Sequence, residues 1–264
     1  MLIFGIILIV VGIGLFIAHR FKLKSVYEMR MFEQRNTADL LDEAGTIAAE
    51  LGAGSFEQSA QLVGDIVCDQ PLTSQLGEHS CVYYRMSVRR KYDEEYWEKD
   101  NNGNQVRKTR TGTDVVSDTK ESCPFYVKDE TGKLLVVPDG AKFDSLIESV
   151  SRFEPATMGG LGGIGFGRFQ LTPPMMQGSG RRTLGYHYEE HVLPLNRRVT
   201  IMGQVNDKMG QLAMRKADGQ KLFISTRSKE EMVGSAQKTA QVMFASAIGS
   251  AVIGVVLAII GAVS

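Results

Sequence analysis

Charge is missing from both ends of this 264-residue chain. No Asp, Glu, Lys or Arg precedes Arg20 and none follows Lys238, so all 30 basic and 30 acidic side chains lie between them. Their balance is neutral, which gives no electrostatic reason to expect nucleic acid as a partner. Cysteine is scarce as well: Cys68, Cys81 and Cys123 are odd in number and have no Cys-x-x-Cys spacing. Neither a disulfide framework nor a zinc knuckle is indicated, and a reducing compartment fits better than an oxidising one. A P-loop, a Gly-x-Ser-x-Gly elbow and an EF-hand loop are also absent. The uncharged ends disfavour a wholly soluble protein.

What stands at those ends is apolar. Leu2 to Ala18 contains no polar side chain, and at about 1.5 Å per helical residue it spans about 25 Å. His19, Arg20, Lys22 and Lys24 follow it, placed to snorkel toward headgroups. A cleaved signal peptide would carry its basic residues before the apolar run and a small-x-small site after it. Neither is present, so an uncleaved anchor is expected. Val242 to Val263 is a second run with only Ser246 and Ser250 as polar groups. Ser246, Ser250, Gly254, Ala258 and Ala262 place a small residue at every fourth position. Small residues let a second helix approach closely in lipid, where no hydrophobic drive favours association. The partner is either the first helix, through Gly5 and Gly12, or a second copy of the chain in a homo-oligomer. Arg20, Lys22, Lys24, Arg30 and Arg35 outnumber Glu28 and Glu33 after the first run. By the positive-inside rule the central region is cytoplasmic.

Residues 1–19 thus read as a first transmembrane helix, 20–56 as a juxtamembrane helical segment, 57–235 as a β-rich domain and 240–263 as a second transmembrane helix. In the second segment Asn36 or Thr37 can cap TADLLDEAGTIAAEL, whose Leu40, Leu41, Ile47, Ala48 and Leu51 make an apolar face ended by Gly52 and Gly54. QLVGDIVC (61–68) and CVYYRMSVRRKY (81–92) carry strand patterns. Between 93 and 114 an acidic half precedes Asn102-Gly103 and a basic half follows. A hairpin there sets Glu94, Glu95 and Glu98 against Arg107, Lys108 and Arg110. Another hairpin is expected around Asp129 to Gly132, with a turn at Pro138 to Gly140. HVLPLNRRVTIMGQV, GQLAMRK and KLFIST read as three further short strands. The fold class is α+β: a mostly antiparallel β domain, barrel or sandwich, flanked by two transmembrane helices.

Two motifs invite chemistry and neither has its context. Gly160-Leu-Gly162-Gly-Ile-Gly165 spells the dinucleotide fingerprint, but that chemistry needs a strand before it and a helix after. The surrounding 158–182 segment, with Met158, Leu161, Ile164, Phe166 and Phe169 beside Arg168, Arg181 and Arg182, reads as a glycine-rich surface loop or one that dips into a bilayer surface. His187-Tyr-Glu-Glu190-His191 spells His-x-x-Glu-His, a zinc-hydrolase signature that requires a helix and a third ligand. Gly185 and Pro194 argue against that helix, and strand side chains are the default reading. No catalytic, cofactor-binding or metal-ligating residue is therefore expected.

The ordered segments GDIVCDQPLTSQLGEHSCVYYRMSVRRKY, SCPFYVKDETGKLLVVPDGAKFD, YEEHVLPLNRRVTIMGQV and FISTRSKEEMVGSAQ, between two apolar runs, resemble the GIDE-type domain. That domain is the membrane-flanked module of the mitochondrial and chloroplast RING E3 ubiquitin ligases. The matching positions are Pro71, Leu72, Ser74, Cys81, Tyr83, Tyr84, Pro124, Phe125, Asp129, Gly132, Glu190 and Gly203. The resemblance implies a ligase-like transferase, yet a RING uses eight Cys and His ligands for two zinc ions. Three cysteines and four histidines are too few. The chain looks like the RING-less prokaryotic form, which implies a bacterial inner membrane. The leading expectation is a non-enzymatic protein-interaction or sensing module in contact with the lipid bilayer and an unknown protein partner. Its candidate contact surfaces are the 158–182 loop and the basic edge from Arg20 to Arg30. A ubiquitin-ligase-like enzyme, or a zinc hydrolase through His187, Glu190 and His191, is the alternative.

Overall fold

A computed structural model of the chain describes residues 2–100, 103–156, 164–171 and 181–263. The order opens with α1 (Leu2–Arg30), β1 (Glu33–Gln34), α2 (Thr37–Leu51), β2 (Glu57–Val67) and β3 (Leu72–Thr73). A long hairpin follows, β4 (Ser80–Lys99) and β5 (Gln105–Ser122). Next come β6 (Phe125–Lys128), β7 (Lys133–Val136), β8 (Lys142–Asp144), β9 (Ile147–Pro155), β10 (Ile164–Phe166) and β11 (Phe169–Leu171). Then β12 (Arg181–Pro194), β13 (Arg198–Asn206), β14 (Ala213–Arg215) and β15 (Phe223–Ser225) lead into α3 (Lys229–Val263).

Both α1 and α3 are long and apolar enough to cross a membrane, and little of either apolar stretch is buried within the protein. They run antiparallel. A Cβ on Gly5 would lie 2.6 Å from Ala258 N and Gly254 O, and one on Gly12 would lie 3.0 Å from Ala247 O. Farther along, His19 Nδ1 is 2.9 Å from the Ala240 carbonyl. Gly5, Gly12 and Val26 are buried on one helix, Ala240, Ala247 and Gly254 on the other. Their sevenfold spacing follows a coiled-coil seam, in which every second turn returns to the same face. The every-fourth-residue row of α3 drifts off it, because four residues overshoot a helical turn by about 40°. Gly254 and Ala258 stay on the seam and Ser250 is half-buried, whereas Ser246 and Ala262 are exposed.

The first sheet closes on itself. β2 pairs with β6, β6 with β7, β7 with β14, β14 with β13, and β13 again with β2. Closure leaves these strands no free edge. Alternate side chains, Leu62, Ile66, Val127, Leu134, Val136, Val199 and Ile201, fill the interior, and α2 packs against it through Leu40 and Ala44. β15 and β8 extend this sheet from β13, and β1 joins β2. The second sheet orders β3-β4-β12-β9, with β5 along the other side of β4. Its core is Leu76, Cys81, Tyr84, Met86, Val88, Tyr188 and Val192.

The Asn-Gly hairpin forms as its charges dictate. Arg110 Nε donates to Glu94 at 2.7 Å, Lys108 lies 2.9 Å from Glu98, and Arg107 pairs with Glu95. One expectation changes. HVLPLNRRVTIMGQV is not one strand: β12 ends at Pro194, Asn196 takes a positive φ of 53°, and β13 enters the other sheet. The pairing is mostly antiparallel, as expected, and the short pairings β1–β2, β7–β14 and β8–β15 are parallel.

Candidate functional site

The His-x-x-Glu-His motif lies on β12, and strand geometry separates its members. Successive side chains of a strand point to opposite faces. His187, Glu189 and His191 share one face, about 13 Å from end to end, while Glu190 points to the other. His187 Nε2 lies 2.9 Å from Glu189. Glu190 is fully buried and accepts from Leu76 N at 2.7 Å, Gly77 N at 3.0 Å and Ser149 Oγ at 2.8 Å. Its carboxylate thus fastens the turn after β3 to the second sheet, where no catalytic water can be held between it and the imidazoles. Among the described residues no three His, Cys, Asp or Glu side chains converge as a metal site.

The other motif positions do similar structural work. Pro71 and Leu72 lead into β3, and the Ser74 hydroxyl accepts from His79 N at 3.0 Å to close the same turn. Asp129 accepts from Thr37 N at 2.7 Å and from Thr131 N and Gly132 N, tying the β6–β7 turn to the start of α2. Burial pushes its carboxyl up, but the hydrogen bonds from Thr131 and Thr37 outweigh that and hold it below the usual carboxylate range. A Cβ on Gly132 would come within 3.2 Å of Thr37, and one on Gly203 within 2.6 Å of Leu222. Asn36 is the cap of α2, its side chain accepting from Asp39 N at 2.8 Å. Tyr83 stacks on Phe143 with centroids 3.7 Å apart, and Phe125 sits in the barrel core after Pro124.

Nucleophilic chemistry finds no support at the thiols. Burial, with Glu190 nearby, pushes the Cys81 thiol up to about 12. Burial and the adjacent Cys68, 3.9 Å away sulfur to sulfur, push Cys123 up to about 11. Such groups stay protonated near neutrality, and the thiolate is the reactive form. Tyr84 faces a recess of about 430 Å³ lined also by Gln75, Glu121 and Arg168. Burial raises its phenol to about 12, aided by the hydrogen bond with Glu121, so it too stays protonated.

Of the glycine-rich segment, residues 157–163 and 172–180 lie outside the described residues, and with them most of the dinucleotide-like motif. The described part is the β10–β11 hairpin. Phe169 is buried in the second core, Phe166 stacks on Tyr188 at 5.2 Å, and Arg168 N donates to Gln75 O at 2.7 Å. These two aromatics therefore cover the sheet. Arg181 pairs with Glu94 at 2.9 Å, and Arg182 lies 3.8 Å from Asp93.

Charged side chains also gather at the junction of helices and barrel. Met29, Phe32, Met202 and Met232 form a third core there, joining α1, α3 and β13. Lys229 Nζ donates to the Phe32 carbonyl at 2.5 Å and Lys221 pairs with Glu28 at 2.6 Å. Beside this core is a recess of about 410 Å³ between α1, α3, β8 and β15, reached by Lys22, Lys142 and Arg227. The sequence reading missed Lys142 and Asp144, which lie far from both helices along the chain, and did not bring Arg227, two residues before α3, beside Lys22. The signal that could have found the neighbourhood is the pair of methionines, Met29 and Met232, each lying on the charged side of its apolar run.

Fold and junction together define a class: a closed β-barrel domain with a companion sheet, seated on an antiparallel pair of apolar helices. The family model GIDE, described as E3 Ubiquitin ligase, matches residues 94–258, well over half of the chain. The chain belongs to the GIDE family. No curated protein and no solved structure matches it.

Proposed function

We propose that the chain is a two-pass membrane protein that holds its GIDE domain at the cytoplasmic face of a bacterial inner membrane as an interaction or sensing module. One observation carries this reading. The apolar side chains of the helix pair face outward, with Ile3 71% and Phe4 69% exposed and Val252 and Ile259 similarly bare. In water so large an apolar surface invites aggregation, whereas lipid covers it without cost. The charges begin at one level on both helices, near His19 and Ala240, which touch. Because both helices continue into the Met29 and Met232 core, the domain is held at a fixed attitude to that level. Its partner is a protein or a lipid at the membrane surface. The small residues Gly254 and Ala258 serve the pairing with α1, so a homo-oligomer through α3 would use another face of that helix, such as the one bearing Ser246.

The family description favours a second reading, a ubiquitin ligase. A RING needs eight Cys and His ligands, and these 264 residues hold three cysteines and four histidines. Cys81 is buried and His19 is engaged with α3. We therefore assign ubiquitin transfer to none of these residues. Alkaline carbonate extraction tests the anchoring, and a cysteine at Asn104, in the exposed hairpin turn, tests the side. The chain should stay in the membrane pellet, and N104C should resist an impermeant maleimide until the cells are opened. Release into the supernatant would overturn the anchoring, and labelling of intact cells would overturn the orientation.

A further inference from the structure

We infer that the recess between the helix pair and the underside of the barrel binds the phosphorylated headgroup of an anionic lipid, an inference that rests on the helices spanning a bilayer. Its height is the first argument. Lys22 lies three residues past His19, about 4.5 Å along the helix, and Met29 about 15 Å along it. The headgroup layer beyond the hydrocarbon is about 5–8 Å deep on each side. Lys22 and Thr239 line the membrane-side end of the recess and are exposed, whereas Met29 and Met232 line the far end and are buried. The opening therefore lies within the headgroups and the closed end lies above them.

Charge is the second argument. Lys22 comes from α1, Lys142 from β8 and Arg227 from the turn before α3, so three distant parts of the chain send cations to one space. Asp144 is the one carboxylate lining it, and it is already held by Arg227, with Nε at 3.2 Å. Among the described residues Lys22 and Lys142 have no ion pair, although carboxylates are as numerous as cations in the chain and pair freely on the β4–β5 hairpin. Two unmatched ammonium groups beside one neutralised pair leave a net positive field at a surface where lipids supply phosphate.

The lining completes the fit. Ser25 also faces the recess and its hydroxyl has no hydrogen bond among the described residues. Thr239 Oγ1 donates to Ser235 O, which leaves its oxygen free to accept from a headgroup hydroxyl. Phe143 and Phe223 close the barrel side with apolar surface. The space of about 410 Å³ equals that of about a dozen waters, enough for a phosphoglycerol group.

The test uses the full chain in nanodiscs of phosphatidylcholine containing about one part in five phosphatidylglycerol, released into native mass spectrometry. The wild type should retain phosphatidylglycerol over phosphatidylcholine. K22Q/K142Q should lower that retention about tenfold or more, and the distant pair R107Q/K108Q should leave it unchanged. Equal retention of the two lipids, or no loss in K22Q/K142Q, would overturn the inference. A soluble arm adds inorganic phosphate or glycerol 3-phosphate to the chain in neutral detergent. Binding of either as tightly as the lipid would reassign the recess to a free phosphate and overturn the lipid. Carbonate extraction of the same variants separates the two levels of failure. A chain that stays embedded while retention ignores K22Q/K142Q loses only the headgroup site. A chain released by carbonate loses the spanning reading and this inference with it.

Discussion

The two halves of the helix pair are built on opposite rules. From Gly5 to Gly12 the seam against α3 is made mostly of Gly and Ala, with Ile9 set against Gly254, and backbone nearly touches backbone. From Val26 to Phe32 the same pair is joined by Met29, Phe32, Met202 and Met232. In lipid, burying a large apolar side chain gains nothing over leaving it among acyl chains, so close approach supplies the attraction. In water, removing the same side chain from solvent is the main source of stability. The change of rule falls at His19 and Ala240, where the charges also begin. Seam chemistry and charge boundary are independent features, and both change at the level where the proposed membrane edge falls.

The largest effect that can break this comparison is expected at Gly5. A leucine there would drive its side chain into the backbone of α3, whereas Gly14 has open space within 4 Å. G5L should sharply lower the SDS midpoint of unfolding in mixed micelles, and G14L should leave it near wild type. Equal effects would mean that the seam is not the contact described. Next in size is Met232, buried beside Met29 and Met202. M232A should destabilise the domain by about 2–5 kcal/mol in urea, and M232L by under about 1.5 kcal/mol.

Acidification separates the halves more gently. The hydrogen bonds that outweigh burial lower the Asp129 carboxyl, and backbone hydrogen bonds from Gly54 and Phe56 lower that of Asp207. A depressed carboxyl contributes stability that is complete above its unfolded value of about 4. That contribution is lost as pH falls through the lower folded value. Urea midpoints of the wild type should drop in this acid range, and D129N and D207N should flatten the drop. The span from Leu2 to Ala18 has no titratable side chain, so the excess cost of G5L over G14L should stay constant with pH. Smallest of all, E98Q on the solvated hairpin should barely shift the melting temperature, because exposed ion pairs are worth little. A large loss there would show that the hairpin carries structural load.

Legibility in the sequence followed the range of the interaction. The charge-free ends, the Asn-Gly hairpin with its three cross-strand pairs and a cap at Asn36 or Thr37 are local, and residue order alone revealed them, the structure choosing Asn36. The small-residue row on α3 meets α1 at Gly254 and Ala258 and drifts away from it toward Ser246 and Ala262, because an every-fourth pattern reads cleanly by eye while packing follows seven. His-x-x-Glu-His was readable only as a conditional, since its chemistry depends on helix or strand, and β12 is a strand. Closure of the barrel through β13 and β2 was invisible, as it joins residues more than a hundred positions apart. For the same reason Lys142 and Arg227 could not be placed beside Lys22.

The membrane edge can be measured directly with single cysteines along α1, in native membranes and in a background with Cys68, Cys81 and Cys123 replaced by alanine. Val10, Phe21 and Tyr27 are similarly bare in the chain itself, at 62%, 70% and 66%, so only a bilayer can distinguish them. The account predicts that F21C and Y27C react with a water-soluble maleimide once the cytoplasmic face is accessible, and that V10C does not. Labelling of V10C at the rate of Y27C would contradict it.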